Sequence, residues 1–429
     1  MKIQSVHGRE LLDSRGNPTV EAEVTLSDGS FGSALVPSGL STGKKEAHEL
    51  RDATSTRWHG KGVLEAVSKI NGEINRALTG TDAEPAAVDR HMIELDGTAA
   101  KSNLGANAIL AVSLANARAT ASSRKLPLYE LIRELSKAQD LVLPTPMVNI
   151  LSGGLHADGT TEMQDFLVMP VGAPSFRMAV EWAGSIYQMA RKLIKERGLS
   201  ALLADEGGFG PRLGTNEEAL KLLLQSISNA GLEAGKEVFL AVDAASSYFF
   251  HEGKYIVDGH TIDSSKLVDL FERWVSDYPV ISLEDCCAED DWEGWAELTS
   301  RLGKGVQLIG DDLFATNPSL IESGKSKGVA NAALIKLNQI GTLTETLESI
   351  RMCKTVGFAP VISTRSGDTE DTFVSDLAVG TAAGQIKIGS LARSERTAKY
   401  NQLLRLEERL NGKARFSGSK PFPFLRARL

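Results

Sequence analysis

Six polar residues recur through the second half of this 429-residue chain: Asp243, Glu284, Asp311, Lys336, Thr364 and Lys387. Each stands at the polar end of a short apolar run: VFLAVD (238–243), VISLED (280–285), VQLIGDD (306–312), AALIK (332–336), APVIST (359–364) and QIKIG (385–389). Their successive separations, 41, 27, 25, 28 and 23 residues, are each about one strand, one helix and two loops. Three carboxylates brought together cannot all stay ionised without a cation, because like charges raise one another's pKa. Oxygen-only ligands favour a hard cation, and Mg²⁺ suits a site that also meets phosphate. A Lys beside Mg²⁺ and a second ammonium has its charged form disfavoured and can serve as a base. Each group also has an ordinary reading: a lone acid after a strand caps a helix or pairs with a cation, and Lys336 and Lys387 can simply pair with the carboxylates. Three acids and two lysines in successive units weigh toward a site.

The elements that position them follow from the spacing. Helical patterns such as SSKLVDLFERWV (264–275) and TLTETLESIRMCKTVG (342–357) separate the apolar runs. TNEEALKLLLQSI (215–227) opens with a capping box, Thr215 and Glu218. Strands alternating with helices predict an α/β protein with a parallel sheet, open or closed into a barrel. In a barrel the strand C-termini share one mouth, and the six side chains would meet there. The first part of the chain has a different rhythm. TVEAEVTL (19–26) alternates Val20, Ala22, Val24 and Leu26 with polar residues, predicting an antiparallel strand with one wet face. LGANAILAVSLANARATA (104–121) predicts a buried helix. SKAQD (136–140) followed by LVLPTP, with Pro144 and Pro146, marks a boundary between domains 1–138 and 139–429.

Composition sets limits on partners. Hydrophobic residues make up 42% and charged residues 24%, ordinary for a globular protein. Asp and Glu number 55 against 47 Lys and Arg, a net charge of −8 without a basic block, which argues against nucleic acid or an anionic membrane as partner. An anionic substrate would need local positive charge. The start MKIQSVHGRE has no apolar signal core, and no stretch approaches a membrane span. Three cysteines with no CxxC pair do not make a disulfide framework, so a reducing cytoplasm is expected.

Longer stretches carry a resemblance. DSRGNPTVE (13–21), VPSGLSTG (36–43), KSNLGANAILAVSLA (101–115), DEGGFGP (205–211), EDCCAEDDW (284–292), GDDLFATNP (310–318), KLNQIGTLTET (336–346), TRSGDTEDT (364–372) and GQIKIG (384–389) resemble the enolase family over nearly the whole chain. The resemblance implies a small α+β N-terminal domain on a modified (β/α)₈ TIM-type barrel whose first units depart from the regular order. It implies reversible dehydration of 2-phosphoglycerate to phosphoenolpyruvate with two Mg²⁺ ions, one bridged by substrate, in a homodimer or higher homo-oligomer. Carried over by position, Asp243, Glu284 and Asp311 would hold one Mg²⁺, and Ser41 of the SGLSTG loop would help close the second site. Lys336 matches the base that removes the proton beside the carboxylate. Lys387 matches its partner at the substrate carboxylate, an arrangement in which metal ions stabilise the enolate. Glu206 matches the acid that helps the hydroxyl leave, with His156 and Asp165 as neighbours. Arg365 and Ser366 match the phosphate grip, Arg being suited to bidentate oxyanion contact.

The sequence also departs from the family. The family's Ser-His-Arg-Ser-Gly turn reads Ser363-Thr364-Arg365-Ser366-Gly367 here, and Asp165 replaces a Glu. Leu40 replaces an Ala, Ser152 and Leu155 replace the Asn and Ser of NGGSH, and Cys286 and Cys287 replace a Pro and a Phe. Base, metal ligands and enolate stabilisers are kept by residue type, and the changes gather at the leaving-group end, where lost atoms should free volume. A specialised paralogue is expected, eliminating to an enolpyruvate ester from 2-phosphoglycerate or a small phosphono-carboxylate analogue. The pattern is similar to carboxyphosphonoenolpyruvate synthases of phosphinate antibiotic biosynthesis. An ordinary glycolytic enolase is the alternative, and a non-catalytic enolase-fold binding protein is a third reading.

Overall fold

A computed structural model describes residues 1–39 and 43–427. The N-terminal part opens with an antiparallel sheet of β1 (Ile3–Leu12), β2 (Pro18–Leu26) and β3 (Phe31–Leu35) in that order. Val20, Ala22, Val24 and Leu26 of β2 are fully buried, the face expected from their alternation. Against them packs α2 (Ala106–Ser123), which is flanked in turn by α1 (Pro85–Asp96) and α3 (Leu128–Ser136). The expected helix is α2, and its small residues let it approach closely. A Cβ on Gly32 of β3 would lie 2.3 Å from the Ala115 carbonyl oxygen and 2.4 Å from the Ala119 nitrogen. Only glycine fits there.

The rest of the chain closes into an eight-stranded barrel. Its strands are β4 (Thr145–Ser152), β5 (Asp165–Met169), β6 (Phe239–Asp243), β7 (Val280–Glu284), β8 (Gln307–Gly310), β9 (Ala332–Ile335), β10 (Ala359–Ser363) and β11 (Gln385–Lys387). The six predicted strands are β6 to β11, all parallel. β5 instead runs antiparallel to both β4 and β6. A direct loop joins β4 to β5, and two helices in succession, α4 (Phe176–Glu196) and α5 (Asn216–Asn229), lead to β6. The regular alternation of strand and helix begins only after them. At the start of α5 the Thr215 hydroxyl accepts from the Glu218 nitrogen, while Glu218 Oε2 takes the nitrogen of Gly214, one residue earlier than a standard capping box.

The period of two aims the side chains. Phe239 and Ala241, Ile309, Ala332 and Leu334 belong to one apolar cluster, with Met147, Leu167 and Met169 from β4 and β5. Continuing each strand by two residues gives Asp243, Asp311 and Lys336 on that same inward face. Among these apolar residues sits a buried polar group in which Gln307 Nε2 donates to Gln385 Oε1 and to Ser282 Oγ, both at 3.0 Å. Two residues beyond Ser282 and Gln385 come Glu284 and Lys387. The barrel interior is therefore mostly apolar, with one buried polar group, and charged at the mouth. Because β5 is reversed, its first residue, Asp165, reaches the mouth at which the other strands end, opposite Asp243 and Ser152.

The two parts meet around the turn after β10. Ser38 and Gly367 exchange backbone hydrogen bonds of 2.7 and 3.1 Å. Arg118 of α2 grips Asp371 with two bonds of 2.6 and 2.7 Å. Asp89 of α1 accepts from the Thr344 nitrogen and hydroxyl at 2.9 and 2.6 Å, at the start of the helix Leu343–Val356. Among the described residues no helix is long and apolar enough to cross a membrane.

Candidate active site

The mouth holds a cavity of about 50 Å³ lined by His156, Asp165, Glu206, Asp243, Asp311, Lys336, Thr364, Arg365, Ser366 and Lys387, with Glu46, Gln164, Asp285 and Asp312 among its other walls. Ten of the residues singled out by sequence thus meet in one place. Glu284 lies buried beneath, bonded to Lys387. Ser41, like Leu40, lies outside the described residues.

Lys387 donates to Asp243 Oδ2 and Glu284 Oε1, both at 2.7 Å. Burial disfavours its charge, but these two carboxylates outweigh burial and hold the ammonium well above the usual lysine range. Lys336 donates to Asp311 Oδ2, and Gln339 Nε2 holds the other oxygen at 2.8 Å. For Lys336, too, burial is opposed and outweighed, mainly by Asp311, while Arg365 works the other way. Both lysines are thus ion-paired with the carboxylates read as metal ligands. Burial and the Asp243 charge push Glu284 well above the ordinary carboxylate range.

Among the described residues, the carboxylates whose ligand atoms lie within 4.8 Å of one another are Asp285, Asp311 and Asp312, not the trio expected at the strand ends. Asp311 belongs to both sets, whereas Asp243 and Glu284 close on Lys387. Asp285 accepts from the nitrogens of Asp311 and Asp312, both at 2.9 Å, so it shapes the turn that presents them. Burial and the neighbouring Asp311 push Asp312 up to about 7. The donor set fits a hard dication on two grounds. Glu284 Oε2 is buried with no hydrogen-bond partner. Seven carboxylates line the cavity against Lys336, Arg365 and Lys387, an excess that would repel an anionic substrate unless a cation accompanied it.

Across the mouth, Glu206, Asp165 and His156 form a second cluster whose ligand atoms also lie within 4.8 Å of one another. The Asp165 Oδ1 atom accepts from Asn149 and from Ser152 Oγ, the latter at 3.0 Å, while Oδ2 faces His156 Nδ1 at 3.5 Å. Ser152 and Asp165, two of the departures from the family pattern, are therefore hydrogen-bonded to each other. Burial raises the Asp165 carboxyl, and the Glu206 charge adds to it. Burial alone would raise Glu206, but Arg396, His156 and the two lysines outweigh it and hold it below the ordinary range. His156 is raised because Asp165 outweighs the cost of its burial.

Arg365 is 5% exposed and donates to Glu46 Oε2 at 2.6 Å. Beside Thr364, where the imidazole of the family pattern is missing, Arg396 places its guanidinium 3.1 Å from the hydroxyl. Sequence reading also missed Glu46, Gln164 (3.1 Å from Asp243 Oδ2), Asn149, Gln339 and Arg396. A signal for Arg396 existed in the buried helical spacing Arg396, Lys399, Tyr400, Leu403 of α6 (Ser394–Leu410).

Residues 3–132 match the family model described as the enolase N-terminal domain, and residues 140–423 match that of the enolase C-terminal TIM barrel domain. Both halves match in chain order, and the charged mouth sits where the barrel strands end, so this chain belongs to the enolase family of lyases.

Proposed function

We propose that the protein is a Mg²⁺-dependent lyase that removes the proton α to a carboxylate and expels the β-hydroxyl as water, leaving an enolpyruvate ester. The substrate class is a small phospho- or phosphono-carboxylate. We favour a glycerate 2-ester bearing a phosphonoformyl group, as in carboxyphosphonoenolpyruvate synthases, over 2-phosphoglycerate itself. One observation carries this reading: Lys336 and Lys387 face the buried Asp243, Glu284 and Asp311 across the cavity from Glu206, with Asp165 and Thr364 as the altered neighbours.

Lys336 is the base. It takes the C2 proton once its own proton and its bond to Asp311 are released, and Lys387 faces the substrate carboxylate. Asp243, Glu284 and Asp311 would hold Mg²⁺, with Asp285 and Asp312 shaping the adjoining turn and Ser41 at a second ion. Bound Mg²⁺ supplies the positive charge against which the carboxylate accepts further negative charge. Glu206 faces the hydroxyl and would pass to the departing oxygen a proton that it first takes from its neighbours His156 and Asp165. Arg365 and Ser366 grip the phosphoryl or phosphonyl oxygens. Residues 1–138 and 139–429 act as separate domains in a cytoplasmic homo-oligomer.

The test is phosphorus NMR of the protein with Mg²⁺ and either the phosphonoformyl ester of glycerate or 2-phosphoglycerate. Enolpyruvate formation from the phosphonoformyl ester at more than ten times the rate from 2-phosphoglycerate supports this reading. The reverse preference makes the protein an ordinary enolase. No Mg²⁺-dependent product from either compound favours the binding-protein reading, against which the retained lysines and carboxylates argue.

A further inference from the structure

Thr364 follows the last residue of β10 and lines the cavity, where the family pattern has an imidazole. Its hydroxyl is oriented by a residue outside the cavity. Arg396 of α6 is fully buried, and its Nη1 lies 3.1 Å from Thr364 Oγ1. The Nη2 atom of the same guanidinium lies 2.8 Å from the Ser366 carbonyl oxygen. One rigid fork thus fixes both ends of the turn that carries Arg365.

The direction of the first bond follows from chemistry alone. Guanidinium has donors only, so Thr364 Oγ1 must be the acceptor. The hydroxyl proton must then find an acceptor elsewhere, and among the described residues no group takes it. The space open to it is the cavity. A threonine left to itself could either donate or accept. Arg396 takes one of the two lone pairs of Thr364, and the O–H left over has the cavity before it.

We propose that Arg396 is a positioning residue that holds Thr364 Oγ1 as an acceptor and leaves its proton, which no described residue accepts, to donate to an acceptor-only oxygen of the bound ligand, making Thr364 a specificity contact for a carboxylate, phosphate or phosphonate oxygen. This rests on the reading of the cavity as an oxyanion site given above. It assigns to Thr364 a neutral donor role that does not titrate, in place of an imidazole that would. The Arg396 charge also lies near Glu206, whose carboxyl it helps hold below the usual range, so one buried cation serves both walls.

The test is calorimetric titration of phosphoenolpyruvate and of phosphonoformate, each with saturating Mg²⁺, into four proteins besides wild type: T364V, T364S, R396K and the T364V/R396K double variant. Losing a hydrogen bond to a charged oxygen should weaken binding of at least one probe by about 10- to 100-fold in T364V. T364S should restore it to within a few-fold of wild type. A lysine cannot reproduce the two-point fork, so R396K should weaken binding where Thr364 is present and add little once valine is there. Equal binding by T364V and wild type overturns the proposal, as does an equal R396K penalty in both backgrounds, which a merely structural role would give. Should R396K fail to fold, the comparison of valine with serine decides alone. Wild-type protein that binds neither probe removes the oxyanion reading of the cavity, and this proposal with it. Wild-type binding with an indifferent T364V removes this proposal only.

Discussion

Replacing Lys387 by Met takes one ammonium away from two carboxylates at once. Its Nζ lies 2.7 Å from Asp243 Oδ2 and from Glu284 Oε1, and all three side chains are at most 5% exposed. Removing one partner of a buried ion pair costs roughly 3–5 kcal/mol, because the stranded charge cannot return to water. Across 429 residues the unfolding entropy is of order 0.9 kcal/mol/K, so without metal the melting temperature should fall by about 3–6 °C. The loss should depend on pH with a defined sign. Burial and Asp243 already hold Glu284 well above its ordinary range, and Lys387 opposes them. Without the lysine the folded-state pKa rises further. A raised carboxyl contributes stability that is complete below its unfolded value and lost as pH rises through its folded value. The deficit of Lys387→Met relative to wild type should therefore be larger at pH 8 than at pH 5. Mg²⁺ offers the same two carboxylates a cation, so its stabilising effect should be greater in the variant than in wild type. Differential scanning calorimetry at both pH values, with and without Mg²⁺, measures each effect. A deficit equal at pH 5 and pH 8, or a variant that gains less from Mg²⁺ than wild type does, would refute the electrostatic reasoning.

Other consequences follow from single contacts. Asp89 is buried, its carboxyl is pushed up to about 6 by burial, and it accepts two bonds from Thr344. Ionising it costs the fold stability, so Asp89→Asn should stabilise by up to about 3 kcal/mol at pH 8 and by almost nothing near pH 4; a denaturation midpoint difference that does not vary with pH would contradict this. A Cβ on Gly367 would lie 2.4 Å from Arg15 Nη2 and 2.6 Å from the Ser38 carbonyl oxygen. Gly367→Ala should push the Ser38 segment off the turn that carries Arg365, lowering stability by about 1–3 kcal/mol and weakening phosphoenolpyruvate binding. Unchanged melting and binding would show that the seam does not position the site.

The sequence carried the barrel's parallel units because apolar runs and helices alternate at nearly constant length. It did not carry β4 or β5. TPMVNILS begins with the Thr145-Pro146 pair that looks like a linker, and no α-helical unit separates it from DFLVM, so neither run falls into the alternating rhythm of the later strands. The reversal of β5, which delivers Asp165 to the mouth, is a property of chain tracing that no local pattern encodes. At the site, the residue types at strand ends were legible because the period of two aims them inward. Their pairing was not. Which oxygen meets Lys387, how Asp285 shapes the turn before Asp312, and the reach of Arg396 to Thr364 all depend on contacts between residues 26 to 144 positions apart. Resemblance to the enolase family identified the site's members, and the departures from it marked the end of the cavity where the hydrogen bonding has been rebuilt, with Ser152 on Asp165 and Arg396 on Thr364.

The central claim is that Lys336 removes a proton from carbon beside a carboxylate. Its most direct measurement is deuterium incorporation at C2 of 2-phosphoglycerate or of the phosphonoformyl ester of glycerate, followed by proton NMR in D₂O. Wild-type protein should exchange that position only with Mg²⁺ present, even where net elimination is slow, and Lys336→Met should lower the exchange rate by at least about 10²-fold. Exchange in Lys336→Met at the wild-type rate, or none in wild type with either compound, would contradict the account.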